Sequence, residues 1–226
     1  MSTLYIVATP IGNLKDITFR ALETLKGVDL ILCEDTRQTK KLLDRYDIKI
    51  PTLSYHQHSK LSKIDLVLDK LEQGKNLALV SDAGTPGISD PGNYLVKKII
   101  AKFGSAVTII PIPGPAAVTA LASVSGLPTD NFLFLGFLPH KKGRQTLIKE
   151  IINCPRTVIL YESCHRIIKL LNELNQAGVG ERQIVVGREL TKKFETTYRG
   201  PVEEVQEQLK DDKIKGEFTV VIEGKK

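Results

Sequence analysis

Short apolar runs, each closed by glycine, proline or an acidic residue, punctuate the first half of the chain. Leu4 to Thr9, Val28 to Cys33, Asn76 to Val80 and Val107 to Ile110 are of strand length and nearly continuous in apolar character, as strands buried on both faces of a sheet are. Between them the apolar spacing turns helical. A helix capped by Asp16 is expected to run to about Leu25, with Phe19, Leu22 and Leu25 on one face. Others are expected from Lys40 to Tyr46, from Tyr94 to Phe103 and, built of small residues, from Ala116 to Val124. Strands alternating with helices imply a mostly parallel sheet with flanking helices.

The pattern changes at Gly126 to Asn131. Phe132 to Leu138, Arg156 to Tyr161, Gln183 to Glu189, Phe194 to Tyr198 and Glu217 to Glu223 read as strands, with helices at Gln145 to Ile152, from Arg166 to about Gln176, and at Val202 to Leu209. Short connections between neighbouring strands imply a mixed or antiparallel sheet. The expected organisation is therefore an α/β chain of two domains, residues 1–125 and 126–226.

Composition narrows this picture only slightly. Of 226 residues, 42% are hydrophobic, enough for one good core or two smaller ones, and the formal charge of +6 is compatible with a polyanionic partner. No apolar run approaches the ~20 residues of a membrane span, and Leu4 to Thr9 is too short for a signal peptide, so a cytoplasmic protein is expected. Cys33, Cys154 and Cys164 are widely spaced with no C-x-x-C pair, and His56 and His58 alternate on an extended segment, so no metal site is indicated.

The candidate chemistry lies where strands end. After Val80 comes Ser81-Asp82-Ala83-Gly84-Thr85-Pro86-Gly87-Ile88-Ser89-Asp90-Pro91-Gly92, longer than the ~2–6 residues such connections usually need. Its glycines and prolines force an open, sharply turning backbone, and it carries two aspartates. Pro10 to Asp16 and Pro111 to Ala117 are similar loops, although neither matches the phosphate-binding patterns G-x-x-x-x-G-K-[ST] or G-x-G-x-x-G. Parallel strands would let all three loops converge on one crevice. Glu34, Asp35 and Arg37 close the strand ending at Cys33, equally readable as helix-start acids or as substrate-facing groups.

Taken together, Ala8 to Leu14, Cys33 to Arg37, Ser81 to Gly92, Tyr161 to Ser163, His165-Arg166 and Arg188 to Lys192 resemble the tetrapyrrole methylase superfamily, and within it the branch that modifies ribosomal RNA. The resemblance runs from Leu4 to Gly224. It implies a two-domain fold with a cofactor cleft between the domains, usually a homodimer, that uses S-adenosyl-L-methionine to methylate the 2′-hydroxyl of a cytidine in 16S rRNA, within the small ribosomal subunit. By position it places Pro10, Asp82, Ala83, Gly84, Thr85, Ser89, Ala116 and Ala117 on the cofactor, with Glu162 and Gly187 reaching it from the other side. Asp82 would pair with the methionine ammonium. Cys164 stands where the family usually has proline.

A ribose hydroxyl must lose its proton on methylation. Glu34, Asp35, Glu162, His165 and Glu189 are the available bases; Glu34, Glu189 and Lys192 are the catalytic candidates, the last two as an acid–base and electrostatic pair. RNA phosphates would meet Lys141, Lys142, Arg144, Arg37 and Arg166, with Lys40, Lys41, Arg188 and Lys193 nearby, and bases would stack on Tyr55, Phe137 or Tyr198. Methylation of a tetrapyrrole carbon and a non-catalytic RNA-binding role are the alternatives.

Overall fold

The computed structural model describes residues 2–56, 61–210 and 212–226, and the chain divides into two compact units, 1–116 and 117–226. The division falls nine residues before the expected one, because the small-residue helix packs on the second sheet. Among the described residues, no helix is long and apolar enough to cross a membrane.

In the first unit the elements are β1 (Ser2–Val7), α1 (Phe19–Gly27), β2 (Leu30–Cys33), α2 (Thr36–Arg45), β3 (Thr52–Ser54), α3 (Leu61–Glu72), β4 (Leu77–Leu79), α4 (Asn93–Phe103) and β5 (Val107–Ile112). The five strands form one sheet in the order β3-β2-β4-β1-β5, every pair parallel. The lack of alternation in the apolar runs now has its reason. Leu77 and Leu79 pack with Ile64, Val67, Leu95 and Ile99 of α3 and α4, while Ala78 and Val80 pack with Ala21, Leu25, Leu42 and Leu43 of α1 and α2. Both faces of β4 are buried, so both sets of side chains are apolar.

Two helix starts differ from expectation. Thr18, not Asp16, caps α1, its hydroxyl accepting from the Ala21 N–H at 3.1 Å. Asp16 ends a single 3-10 turn whose cap is Asn13, and Phe19, at the first position of α1, points to solvent. α2 begins at Thr36 instead of Lys40, because the Asp35 carboxylate accepts from the Arg37 N–H at 2.8 Å and supplies the cap.

The second unit contains α5 (Ala117–Ser125), β6 (Phe132–Phe137), α6 (Arg144–Asn153), β7 (Thr157–Ser163), α7 (Ile167–Gln176), β8 (Ile184–Arg188), β9 (Thr196–Gly200), α8 (Val202–Lys210) and β10 (Glu217–Ile222). Its sheet has the order β6-β7-β10-β8-β9, parallel only between β6 and β7. Leu170 and Leu174 of α7 and Val205 and Leu209 of α8 pack with Val158, Leu160, Val186 and Val220 of the sheet. β9 begins two residues later than its apolar residues suggest. Glu189 and Thr191 adopt left-handed backbone at φ 50° and 65°, so the chain after β8 turns and leaves Phe194 exposed.

Candidate functional site

In the first unit, parallel pairing brings the carboxyl ends of β2, β4, β1 and β5 side by side. The loops beyond those strand ends are tied together. Thr9 and Gly84 exchange backbone hydrogen bonds at 2.9 and 3.0 Å, and the Thr9 hydroxyl donates to the Ser81 carbonyl at 3.0 Å. Ser81 Oγ donates back to the Ala83 and Gly84 carbonyls, at 3.2 and 3.3 Å. The third loop lies against the first: a Cβ on Gly114 would sit 3.0 Å from the Ala8 Cβ, so a side chain here would crowd the close approach of the two backbones. The fourth strand end joins through the Asp35 N–H, which donates to Asp82 Oδ1 at 3.1 Å. The loops beginning at Pro10, Asp82 and Pro113 thus form one ledge.

The long loop itself is held in unusual backbone. Gly84 and Gly87 lie at φ 80° and 83°, and Ser89, which has a side chain, at 61°. Asn93 secures the turn by donating to the Gly87 carbonyl at 3.0 Å. Left-handed backbone at a non-glycine residue costs energy and is common where a loop serves a ligand. Asp82, Ala83 and Ser89 are exposed, Thr85 and Ala116 partly so, and Pro10 and Gly84 are buried beneath them. An exposed carboxylate on open backbone with small neighbours suits a compact molecule carrying an amine, and S-adenosyl-L-methionine fits that donor set.

Glu34 stands beside this ledge, half-buried. Burial, reinforced by the negative charges of Asp90 and Asp82, pushes its carboxyl up to about 7. Asp35 goes the other way, to about 2, because the Arg37 side chain and amide both donate to it. Arg37 is exposed, with its fork folded onto Asp35. Ser54 Oγ and His56 Nε2 are 3.0 Å apart at the end of β3; Gln57, His58 and Ser59 lie outside the described residues.

The second unit corrects several expectations. Glu162 is fully enclosed, its oxygens meeting Arg166 Nη2 at 2.7 Å and Arg144 Nη1 at 3.4 Å, so the carboxylate expected to reach the cofactor is spent on two guanidinium groups. Arg144 is equally buried and also pairs with Glu173 at 2.7 Å, so it offers nothing to a phosphate. Arg166 spends its guanidinium on Glu162 and on the Leu138 carbonyl. Arg188 is buried against Asp212 and the Lys215 carbonyl. Tyr55 and Tyr198 are buried too, Tyr198 donating its hydroxyl to Asp212, and of the three expected stacking residues only Phe137 is exposed. Lys141 and Lys142 are exposed as expected.

Glu189 and Lys192 do come together, at 2.9 Å, and Lys192 also reaches Glu217 at 2.8 Å. Against the opposing effect of burial, the Lys192 ammonium and the Glu217 N–H hold the Glu189 carboxyl below its ordinary range. A carboxylate so held is a weak base. Gly187 admits α5: a Cβ there would lie 2.7 Å from Leu121 Cδ1 and 2.9 Å from Leu190 Cδ2. Gly187→Ala is therefore expected to cost about 1–3 kcal/mol by overpacking, measurable as a lowered midpoint in urea. Glu173 and Asp212, the partners that bury Arg144 and Arg188, carry no sequence signal, standing 29 and 24 residues from the arginines they neutralise.

A family model described as Tetrapyrrole (Corrin/Porphyrin) Methylases matches residues 3–206. Proteins named ribosomal RNA small subunit methyltransferase I are similar over nearly the whole chain. That of Halalkalibacterium halodurans is 49% identical, covering 98% of this chain and 76% of the relative. The Thermotoga maritima protein is 43% identical, with complete coverage of both. Among solved structures, the methyltransferase CobJ superposes with a TM-score of 0.71 at 16% identity, covering 99% of this chain and 93% of that one. A uroporphyrin-III C-methyltransferase from Thermus thermophilus, complexed with S-adenyl homocysteine, gives 0.65 at 17%, covering 97% and 96%. At these identities the structural likeness is one of fold.

Proposed function

Because the chain belongs to the tetrapyrrole methylase family, we propose that it transfers a methyl group from S-adenosyl-L-methionine to the ribose 2′-hydroxyl of a cytidine in 16S rRNA, acting as a homodimer on the small ribosomal subunit. The observation that carries this reading is the ledge at the strand ends of the first unit, together with relatives at 43–49% identity that bear an rRNA methyltransferase name.

The cofactor supplies an electrophilic sulfonium methyl, and the chain supplies position. Asp82, exposed at the end of β4, is the partner for the methionine ammonium. Ala83, Thr85, Ser89, Ala116 and Ala117 offer backbone and small side chains to the rest of the molecule, while Gly84 lies beneath them with its backbone bonded to Thr9. Displacement at carbon requires the acceptor oxygen, methyl and sulfur in line, so a ledge already fixed by Thr9 and Ser81 contributes by holding its ligand still. Glu34 takes the hydroxyl proton, since a carboxyl near 7 is matched to work at neutral pH. Lys192 and Glu189 satisfy each other and hold the turn after β8.

The test is transfer of radiolabelled methyl from S-adenosyl-L-methionine to 30S particles lacking the modification, with subsequent digestion to nucleosides. Label is expected in 2′-O-methylcytidine. Label on a base, or transfer only to a uroporphyrinogen-like acceptor, would defeat the reading.

A further inference from the structure

β6 is one residue longer than its partner requires. Phe134 pairs with Ile159 and Phe137 with Tyr161, three residues against two, and Gly136 absorbs the excess at φ 59°. In a regular strand, residues three apart lie on opposite faces. Here both rings lie against Tyr161, with centroids 5.1 and 5.5 Å from it. Leu138 turns into the core at 1% exposure, while Phe137 remains 53% exposed.

The backbone just past β6 is gripped from below. The Leu138 carbonyl accepts from Arg166 Nη1 at 2.7 Å, and the Pro139 carbonyl from Arg144 Nη1 at 3.3 Å. One buried carboxylate, Glu162, holds both guanidinium groups. The direction in which the chain leaves the sheet is thereby set, and it carries His140, Lys141 and Lys142 outward.

We propose that Phe137, Lys141 and Lys142 form a platform for an unpaired RNA nucleotide, and that Glu162 is the positioning residue that aims it through Arg144 and Arg166. The inference rests on RNA being the substrate. A half-exposed ring tilted on Tyr161 leaves aromatic surface for a base to stack on, and ammonium groups four and five residues on meet the flanking phosphates. No acidic residue lies between Phe137 and Gly143, so the charge of the segment complements a polyanion.

The experiment is binding of a fluorescein-labelled single-stranded RNA oligonucleotide to the full chain, read by anisotropy at two salt concentrations. Phe137→Ala should weaken binding roughly 10-fold, Phe137→Tyr by less than about 2-fold. Removing Lys141 and Lys142 together should lower the salt slope by about 1.4. In a Glu162→Gln background the Phe137→Ala penalty should shrink below about 2-fold, because a ring no longer aimed has nothing to lose. An undiminished penalty there would make Glu162 merely stabilising and overturn its positioning role. Wild-type binding by Phe137→Ala would overturn the platform, as would a parallel loss of S-adenosyl-L-methionine affinity by calorimetry. Failure of the unaltered chain to bind RNA or methylate 30S particles would instead defeat the proposed function, and the platform with it.

Discussion

Arg144→Ala is expected to lower the unfolding free energy by about 3–5 kcal/mol, the range for breaking a buried ion pair by removing one partner; Glu162 keeps Arg166, so Glu173 loses its nearest cation. Arg144 Nε lies 2.7 Å from Glu173 and its Nη1 donates to both Pro139 and Glu162, so one truncation leaves three acceptors short. Replacing Lys141 and Lys142, three and two residues earlier and in solvent, should change stability by less than about 0.5 kcal/mol each. Urea denaturation separates the two cases. Similar, small losses in all three would mean that the ionic cluster is a weak element of the core. The contrast matters because the three basic residues look alike in the sequence, yet one is buried and two are exposed.

Glu34→Gln is the second change with a large expected effect: a loss of roughly 10²–10⁴-fold in methyl transfer, the range for removing a positioned general base. The pH dependence carries a sign. Only the ionised carboxylate accepts a proton, so the wild-type rate should rise with pH up to about 7 and level off above it, and the variant should lack that inflection. Stability runs the other way. The folded-state carboxyl is raised from 4.5, chiefly by burial, so folding favours its protonated form; the contribution is complete below 4.5 and is lost as pH climbs through about 7. Glu34→Gln should therefore gain stability relative to wild type between these limits. A wild-type rate profile in the variant would remove Glu34 from the mechanism.

Much of the first unit is legible in the sequence because its strands are buried on both faces. Runs such as Val28 to Cys33 and Asn76 to Val80 carry little else than apolar residues, and the loops after them are rich in glycine and proline, so strand ends and the ledge they form can be located from the chain alone. Side-chain partnerships are not legible. Nothing near Arg144 in sequence announces Glu173 a full helix away, and nothing near Arg188 announces Asp212, so arginines that neutralise buried acids read as phosphate contacts. The same blindness affects the aromatics: Tyr55 follows a strand and Phe137 closes one, yet the first is covered by the core of the first unit and the second is left out by a bulge. The helix Leu61–Glu72 is absent from the expected elements, although Leu61, Ile64, Leu68 and Leu71 recur at helical spacing.

The bulge in β6 also governs which changes of length this edge of the sheet can absorb. Cutting out Leu135 or Gly136 would leave Phe137 two positions beyond Phe134, still on the side of Tyr161, with Leu138 still facing inward. Keeping every residue but ironing the kink flat would exchange the sides of Phe137 and Leu138, driving a benzyl group among the helices and an isobutyl group into water. At this one spot a shortened chain is closer to the native arrangement than a straightened one.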